Sequence, residues 1–208
     1  MSDEMIGETQ AAELGRLGVA TVYEASGRLG LIDIPLSQIV PGSRVAGPAR
    51  TVLCGQDDNL MVHAVLAEVQ PGEVLVLTMP DPAPVALVGE LLATQAMVHK
   101  AAGILVDASV RDVAELRELG LPIWARFIRV RGAAKTKVGA INSPVTVGGA
   151  TIRPGDFVVL DEDGAVVVSR ERVPEVLEAS RGRAEREASL RGKLQAGALS
   201  YDLHGLRA

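Results

Sequence analysis

Between residues 58 and 127 the sequence alternates three times between helical and extended patterns, and this alternation restricts the fold more than any other feature. DNLMVHAVLAEV (58–69) is spaced for a helix, with Asp58 or Asn59 as N-cap and Pro71-Gly72 as the stop. EVLVLTM (73–79) is a continuous apolar run of buried-strand length. GELLATQAMVHKAA (89–102) returns to helical spacing and GILVD (103–107) to a strand. DVAELRELG (112–120) is a helix ended by Gly120, and LPIWARF (121–127) is a strand again. Such alternation predicts a sheet crossed by helices, and sheets of that kind place ligands outside the carboxyl ends of their strands.

The flanks carry different patterns. The first 30 residues read as helical, with Leu14, Leu17 and Val22 on one face and Gly27 and Gly30 punctuating the end. RVAGPARTVLC (44–54) reads as a strand or bent hairpin, because Pro48 forbids a simple central strand. DPAPVAL (81–87) is a Pro-rich loop, and residues 128–144, rich in basic and small side chains, form a long loop. Residues 144–169 predict a β-meander turning at Gly148-Gly149, Pro154-Gly155 and Asp163-Gly164. Residues 173–196 form a charged terminal helix whose Val173, Val176, Leu177, Leu190 and Leu194 need a surface to pack on. No repeat or low-complexity linker interrupts residues 1–208, which read as a single α/β domain with N-terminal and C-terminal helices.

Composition excludes several function classes. Hydrophobic residues make up 48% but aromatics only 2%, so Ala, Val, Leu and Gly pack the core. The net charge is -5, and the basic cluster Arg181 to Arg186 is interleaved with acids, which argues against nucleic acid and suits a partner that arrives with cations. Cys54 is the single cysteine, cannot form an internal disulfide, and lies in an apolar stretch as an inert core residue. The start, MSDEMIGETQ, is polar and acidic rather than a signal peptide, and no apolar run approaches the roughly 18 residues of a membrane span. The expectation is a soluble cytoplasmic protein.

GILVDASVRD (103–112) ends in Arg111-Asp112, where a core strand ordinarily gives way to Gly, Asn or Pro. Two readings stand. Asp112 and Glu115 have the spacing of a capping box, which would make Asp112 a helix cap and Arg111 a solvated neighbour. Alternatively, Asp112 is a metal carboxylate beside a guanidinium. A hard cation such as Mg2+ keeps its waters and takes few protein oxygens. Arginine offers a planar fork to a carboxylate or a developing enolate. Other candidates are weaker. His63, His99 and His204 have no metal spacing, and His63 and His99 read as surface or half-buried helical positions. DEDG (161–164) has half of a calcium loop and reads as a hairpin turn. Ser109 lacks a G-x-S-x-G elbow, and GRLG (27–30) and VGGA (147–150) do not follow strands as phosphate loops do. Glu24, Glu187 and Lys135 read by default as solvated side chains.

GELLATQAMVHKAAGILVDASVRDVAELRELGLPIWAR resembles the signature region of the RraA-like family, and the resemblance extends from GVATVYEASGRLG through SPVTVGGATIRPGDFVVLDEDGAVVV. That family includes class II 4-hydroxy-4-methyl-2-oxoglutarate aldolases, which also decarboxylate oxaloacetate. Its signature is an acid, twenty intervening residues and Arg-Asp, which Glu90 and Arg111-Asp112 match. The resemblance implies a layered sandwich of the swivelling β/β/α type, assembled as homotrimers or homohexamers with sites between subunits. It implies that Asp112 binds Mg2+ or Mn2+ and that Arg111 binds a small 2-oxo acid. It implies that the backbone around Gly89, Leu91 and Leu92 holds the substrate carboxylate. Lys135 falls on an active-site lysine, and Glu24 and Glu187 on acids that a neighbouring subunit supplies around the hydrated metal. Glu90 is a departure, since aldolases of the family commonly carry Asp there and Glu is longer by one methylene. The family also contains ribonuclease regulators, which lack the metal aspartate, and members once labelled menaquinone methyltransferases; no methyl-donor glycine loop follows an early strand here. The implied function is a metal-dependent lyase. The alternative is a non-catalytic, protein-binding regulator of ribonuclease activity.

Overall fold

The computed structural model describes residues 3–207, and describes side chains from residue 7 onward. In chain order the first elements are α1 (Asp3–Leu17), α2 (Val19–Ala25), β1 (Ser37–Gln38), β2 (Val45–Leu53), α3 (Leu60–Val65), β3 (Val74–Thr78) and β4 (Ala86–Val88). Next come α4 (Glu90–Val98), β5 (Gly103–Val110), α5 (Val113–Leu119), β6 (Ile123–Ile128) and β7 (Ala140–Ile141). The last are β8 (Val145–Val147), β9 (Ala150–Ile152), β10 (Phe157–Asp161), β11 (Gly164–Val168), α6 (Val173–Gln195) and α7 (Ser200–Leu203).

The alternating section does build a parallel core. Strands β2, β3, β5 and β6 are consecutive parallel neighbours in a sheet ordered β1-β6-β5-β3-β2-β10-β11. All residues of β3 and β5 are buried, as expected of strands covered on both faces. Alternate side chains serve opposite cores. Leu75, Leu77, Ile104 and Val106 pack with Val62, Ala93, Ala96 and Leu116 of α3, α4 and α5. Val74, Val76 and Leu105 pack with Val145, Val147 and Ile152 of the separate β8–β9 hairpin. A third cluster joins Leu14, Val22, Val176 and Leu177 of the terminal helices to Val159 and Val166 of the β10–β11 hairpin. The result is a mixed α/β domain in layers, hairpin over sheet over helices. Among the described residues no helix is long and apolar enough to cross a membrane.

Several elements differ from the sequence expectation. Segment 44–54 is one strand, and Pro48 lies inside it. Residues Val45–Pro48 pair antiparallel with β10, and the parallel ladder to β3 begins at Ala49, so Pro48 sits where β2 changes partner. The Pro-rich loop 81–87 runs into a strand, since β4 pairs in parallel with the end of β5. That end exists because β5 continues to Val110, beyond the GILVD run, through an irregularity between Val106 and Ser109. The first helix is broken at Gly18 (φ 84°), and the Val19 N–H donates to Asp161 Oδ2 at 2.9 Å. The 144–169 meander divides, with β8–β9 forming its own sheet and β10–β11 joining the main one.

The long loop 128–144 is fastened rather than loose. Strand β7 pairs with β2, and a Cβ at Gly139 would overlap the Leu53 carbonyl oxygen. Helix α3 (Leu60–Val65) is shorter than the 58–69 expected, and Asp58, just before it, ties its start to the loop. Its Oδ1 accepts the N–H of Leu60, the first residue of α3, at 2.8 Å, from the position before the N-cap Asn59. Its Oδ2 accepts the N–H groups of Thr136 (2.6 Å) and Lys137 (2.9 Å) and the Thr136 hydroxyl (3.3 Å). Burial alone would raise the Asp58 pKa, but the hydrogen bonds from Thr136, Leu60 and Lys137 outweigh it and hold the carboxyl below its usual range. A depressed folded pKa gives stability that is complete above the unfolded value, about 3.9, and is lost as pH falls through the folded one. Urea unfolding of wild type and Asp58→Asn should therefore show a gap at about pH 6 that narrows at about pH 3. A gap of constant size would mean that the Asp58 charge contributes nothing.

Candidate active site

A cavity of about 200 Å³ opens at the carboxyl ends of β4 and β5. Gly89, Leu91 and Leu92 of the first turn of α4 form one wall, beside Arg111 and Asp112 from the end of β5. Asn59 and His63 of the α3 segment, with Ala133 and Lys135, form another. A larger, more open groove of about 630 Å³ runs beside α1 along Pro48, Pro71, Phe157 and Pro174. It lies away from these strand ends, and its Glu73 is already paired with Arg50 at 2.8 Å. The smaller cavity is the better candidate because titratable groups converge on it.

Asp112 does not form the capping box that its spacing with Glu115 suggested. Its backbone is left-handed (φ 59°, ψ 44°), and its side chain makes no cap bond to α5. Oδ2 instead accepts the Glu90 N–H at 3.1 Å, and Arg111 Nε lies 3.7 Å from it. The carboxylate thus faces the N-terminus of α4, where the helix dipole favours negative charge. It remains 41% exposed. The Arg111 N–H donates to the Val88 carbonyl at 3.1 Å, tying the residue to the end of β4. Its side chain runs between two glycines. A Cβ on Gly89 would stand 3.2 Å from Nε, and one on Gly132 3.0 Å from Nη1. The same Cβ on Gly89 would meet Asp112 Oδ2 at 2.5 Å, so this glycine leaves room for the Arg-Asp pair.

The other candidates divide. Lys135 lines the cavity, and Leu91 and Leu92 place their amides in a first turn, where helical N–H groups have no partner inside the helix. Glu90 contributes its N–H, but its carboxylate accepts the Thr94 hydroxyl (2.8 Å) along its own helix and does not line the cavity. Glu24 and Glu187 come together elsewhere, on α2 and α6, bridged by Arg183 at 4.0 Å and 2.7 Å. Neither lines the cavity of its own chain. The sequence reading passed over Asn59 and His63 as site residues. Their spacing of four, which puts both on one face of a helix, was the available signal. DEDG is a turn, in which Asp161 Oδ1 accepts the Asp163 N–H at 2.9 Å. Cys54 is buried, and burial together with the Asp58 charge pushes its thiol pKa up to about 12, leaving it protonated and inert.

Among the described residues no group of three or more His, Cys, Asp or Glu could hold a metal. Among the described residues Asp112 alone offers a carboxylate to the cavity. Its uncoordinated Oδ1 and half-exposed position fit a cation that retains most of its waters, as Mg2+ does, and not a metal that demands a full protein cage.

Comparison with known proteins settles the kinship. The RraA-like (Aldolase/RraA) pattern matches residues 19–167. The chain belongs to the RraA-like family. The match includes Glu24, Glu90, Arg111, Asp112 and Lys135 and stops short of Glu187. A Halalkalibacterium halodurans protein provisionally named 4-hydroxy-4-methyl-2-oxoglutarate aldolase is 35% identical over 166 residues, 79% of this chain and 76% of its own. Among solved structures, an uncharacterised protein from Pseudomonas syringae pv. tomato superposes with a TM-score of 0.82 at 25% identity, covering 92% of this chain and 90% of its own. Streptomyces coelicolor RraAS2, described as an unusual member of the RNase ES inhibitor RraA protein family, gives a TM-score of 0.77 at 33% identity, covering 88% and 96%. The RraA-like family therefore spans names of both an aldolase and an inhibitor.

Proposed function

We propose that this RraA-like protein is a divalent-metal-dependent lyase. It cleaves 4-hydroxy-2-oxo acids of the 4-hydroxy-4-methyl-2-oxoglutarate type to pyruvate and decarboxylates oxaloacetate. The observation that carries the reading is one cavity holding Arg111, a carboxylate not spent on its own helix, a helix N-terminus and Lys135. The name of the H. halodurans relative agrees with it. The reading includes a swivelling β/β/α-type sandwich, residues 1–208 working as one domain, and a cytoplasmic trimer or hexamer.

Mg2+ or Mn2+ held at Asp112 would supply Lewis-acid polarisation of the 2-oxo group. The remaining work falls to the chain. The first-turn amides of α4 take the carboxylate next to the keto group, with the helix dipole in support. Arg111 donates to the keto oxygen and holds the charge that gathers there as the carbon–carbon bond breaks. Lys135 faces the distal carboxylate as a positioning charge, and no Schiff base is required. Glu24 and Glu187 of the partner subunit complete the acid–base set that removes the proton from the 4-hydroxyl and returns one to the pyruvate enolate, while Glu90 acts through its N–H, which holds the Asp112 carboxylate in place. With oxaloacetate the same oxygen receives the electron pair as CO2 leaves.

Purified protein given oxaloacetate and Mg2+ should release pyruvate faster than the metal alone, and excess chelator should stop the difference. Release at the protein-free rate in both arms would reject the lyase reading. It would leave the protein-binding regulator, which the RraAS2 description favours, to be tested by association with a ribonuclease.

Assembly gives an independent test. Helix α4 exposes Leu91 (81%) and Val98 (72%), which is a large apolar contribution for one short helix to leave in water. Asp112→Ala and Glu187→Ala, each inactive alone, should regain activity when unfolded and refolded together. At equal mixing roughly a quarter of the sites join an intact Asp112 to an intact Glu187 across an interface. A fully active monomer by light scattering, or no recovery from verified mixed oligomers, would mean that each site is built within one chain.

A further inference from the structure

The residue that organises the far wall of the cavity does not line it. Asp58 is completely buried, and its two oxygens accept hydrogen bonds from Leu60, from Lys137 and twice from Thr136. A helix cap alone could be Ser, Thr or Asn, which accept one backbone N–H as well as Asp does. A carboxylate is called for because donors approach both oxygens, one pointing to α3 and the other to the loop. Its neighbours reinforce the join. The Ala134 N–H donates to the Asp57 carbonyl (3.0 Å), the Asn59 N–H donates to the Ala134 carbonyl (2.9 Å), and Lys137 Nζ donates to the Gln56 carbonyl (2.8 Å). Lys135 is therefore held on both sides, at residue 134 and at residues 136–137, by the segment 56–59. That same segment leads directly into Asn59 and His63 on the cavity wall.

We propose that Asp58 is a positioning residue that sets Lys135 in the cavity, fixing the loop so that the lysine meets the distal carboxylate of a dicarboxylate substrate. The role of Lys135 rests on the lyase reading, whereas the clamp itself rests on the hydrogen bonds. Lysine has a flexible four-carbon stem and loses rotamer freedom when it binds. A rigid backbone on both sides of it limits how much remains to be ordered. The clamp should thus act on substrate capture more than on bond cleavage.

The test uses the full-length protein in two arms. In the first, Asp58→Asn keeps the shape and the capacity to cap Leu60 but cannot accept all the donors. Hydrogen exchange without substrate should quicken in the 134–137 segment and stay unchanged in α5. Equal exchange in wild type and variant would overturn the clamp. In the second arm, Asp58→Asn should raise KM for oxaloacetate roughly tenfold while kcat changes by no more than about twofold, the scale of losing hydrogen bonds to a charged group. In a Lys135→Ala background the same substitution should have almost no effect, because the residue it positions is gone. An equal loss in both backgrounds would show that Asp58 does not act through Lys135. Thr136→Val, which removes only the 3.3 Å hydroxyl contact and leaves the α3 cap intact, should shift KM in the same direction and by less. If wild type releases no pyruvate, the lyase reading fails on its own and the exchange arm still decides the clamp.

Discussion

Asp112→Ala is expected to abolish chelator-sensitive pyruvate release from oxaloacetate while the protein stays folded. The activity loss follows from removing the only carboxylate that lines the cavity among the described residues. The fold should survive because the side chain has one hydrogen bond to lose, the Glu90 N–H at 3.1 Å, worth about 1 kcal/mol as a cap is, and a half-exposed 3.7 Å pairing with Arg111 that contributes little. Alanine also tolerates the left-handed backbone of this position less well than aspartate, adding a similar amount, about 1 kcal/mol. Thermal unfolding and pyruvate release should be measured on the same preparation. Retention of wild-type turnover would remove Asp112 from the site, and collapse of the fold would assign it to structure.

Arg111→Lys should lower kcat for oxaloacetate by a hundredfold or more, the scale of removing one donor to a developing oxyanion. The charge is kept, so the result isolates geometry. The guanidinium lies in a channel between Gly89 and Gly132 that matches a flat, extended group. An ammonium on a flexible stem offers no planar fork and would retain the pairing to Asp112 as its nearest anion. Steady-state kinetics under saturating Mg2+ would check this. A loss of less than about threefold would place Arg111 in solvent as a bystander to the chemistry.

The parts of the fold that were legible in the sequence are those where local pattern and tertiary demand agree. The runs at 73–79 and 103–107 are strands because burial on both faces leaves no polar alternation to confuse them with. The Arg111-Asp112 position at a strand end followed from the same alternation. Two short strands outside the predicted meander, β4 and β7, were not legible. Ala86–Val88 follows Pro82 and Pro84, and only the extension of β5 through Val110 gives it a partner. Ala140–Ile141 exists because the distant Asp58, with Gly139 close against Leu53 and Gly55 close against Lys137, holds its loop against residues 53–58, and no local signal records such contacts. The capping-box expectation at Asp112 failed for a conformational reason. A left-handed residue at the cap turns its side chain away from the helix it precedes, and spacing alone cannot reveal the sign of φ. The grouping of Glu24 with Glu187 arises from packing between α2 and α6, which separate by the whole length of the sheet in sequence.

The left-handed backbone at Asp112 has a bearing on how such a protein could change its trade. Among residues with a Cβ, asparagine accepts this conformation most readily, and its amide oxygen can still receive the Glu90 N–H. A change from Asp to Asn there would erase a negative charge without opening a hole, straining the chain or releasing α4. Under the proposed lyase reading, the charge that the chemistry needs and the contact that the architecture needs are thus separable at this one side chain. A descendant of this molecule would lose the proposed metal site in one step and keep its surfaces and its stability for some other use.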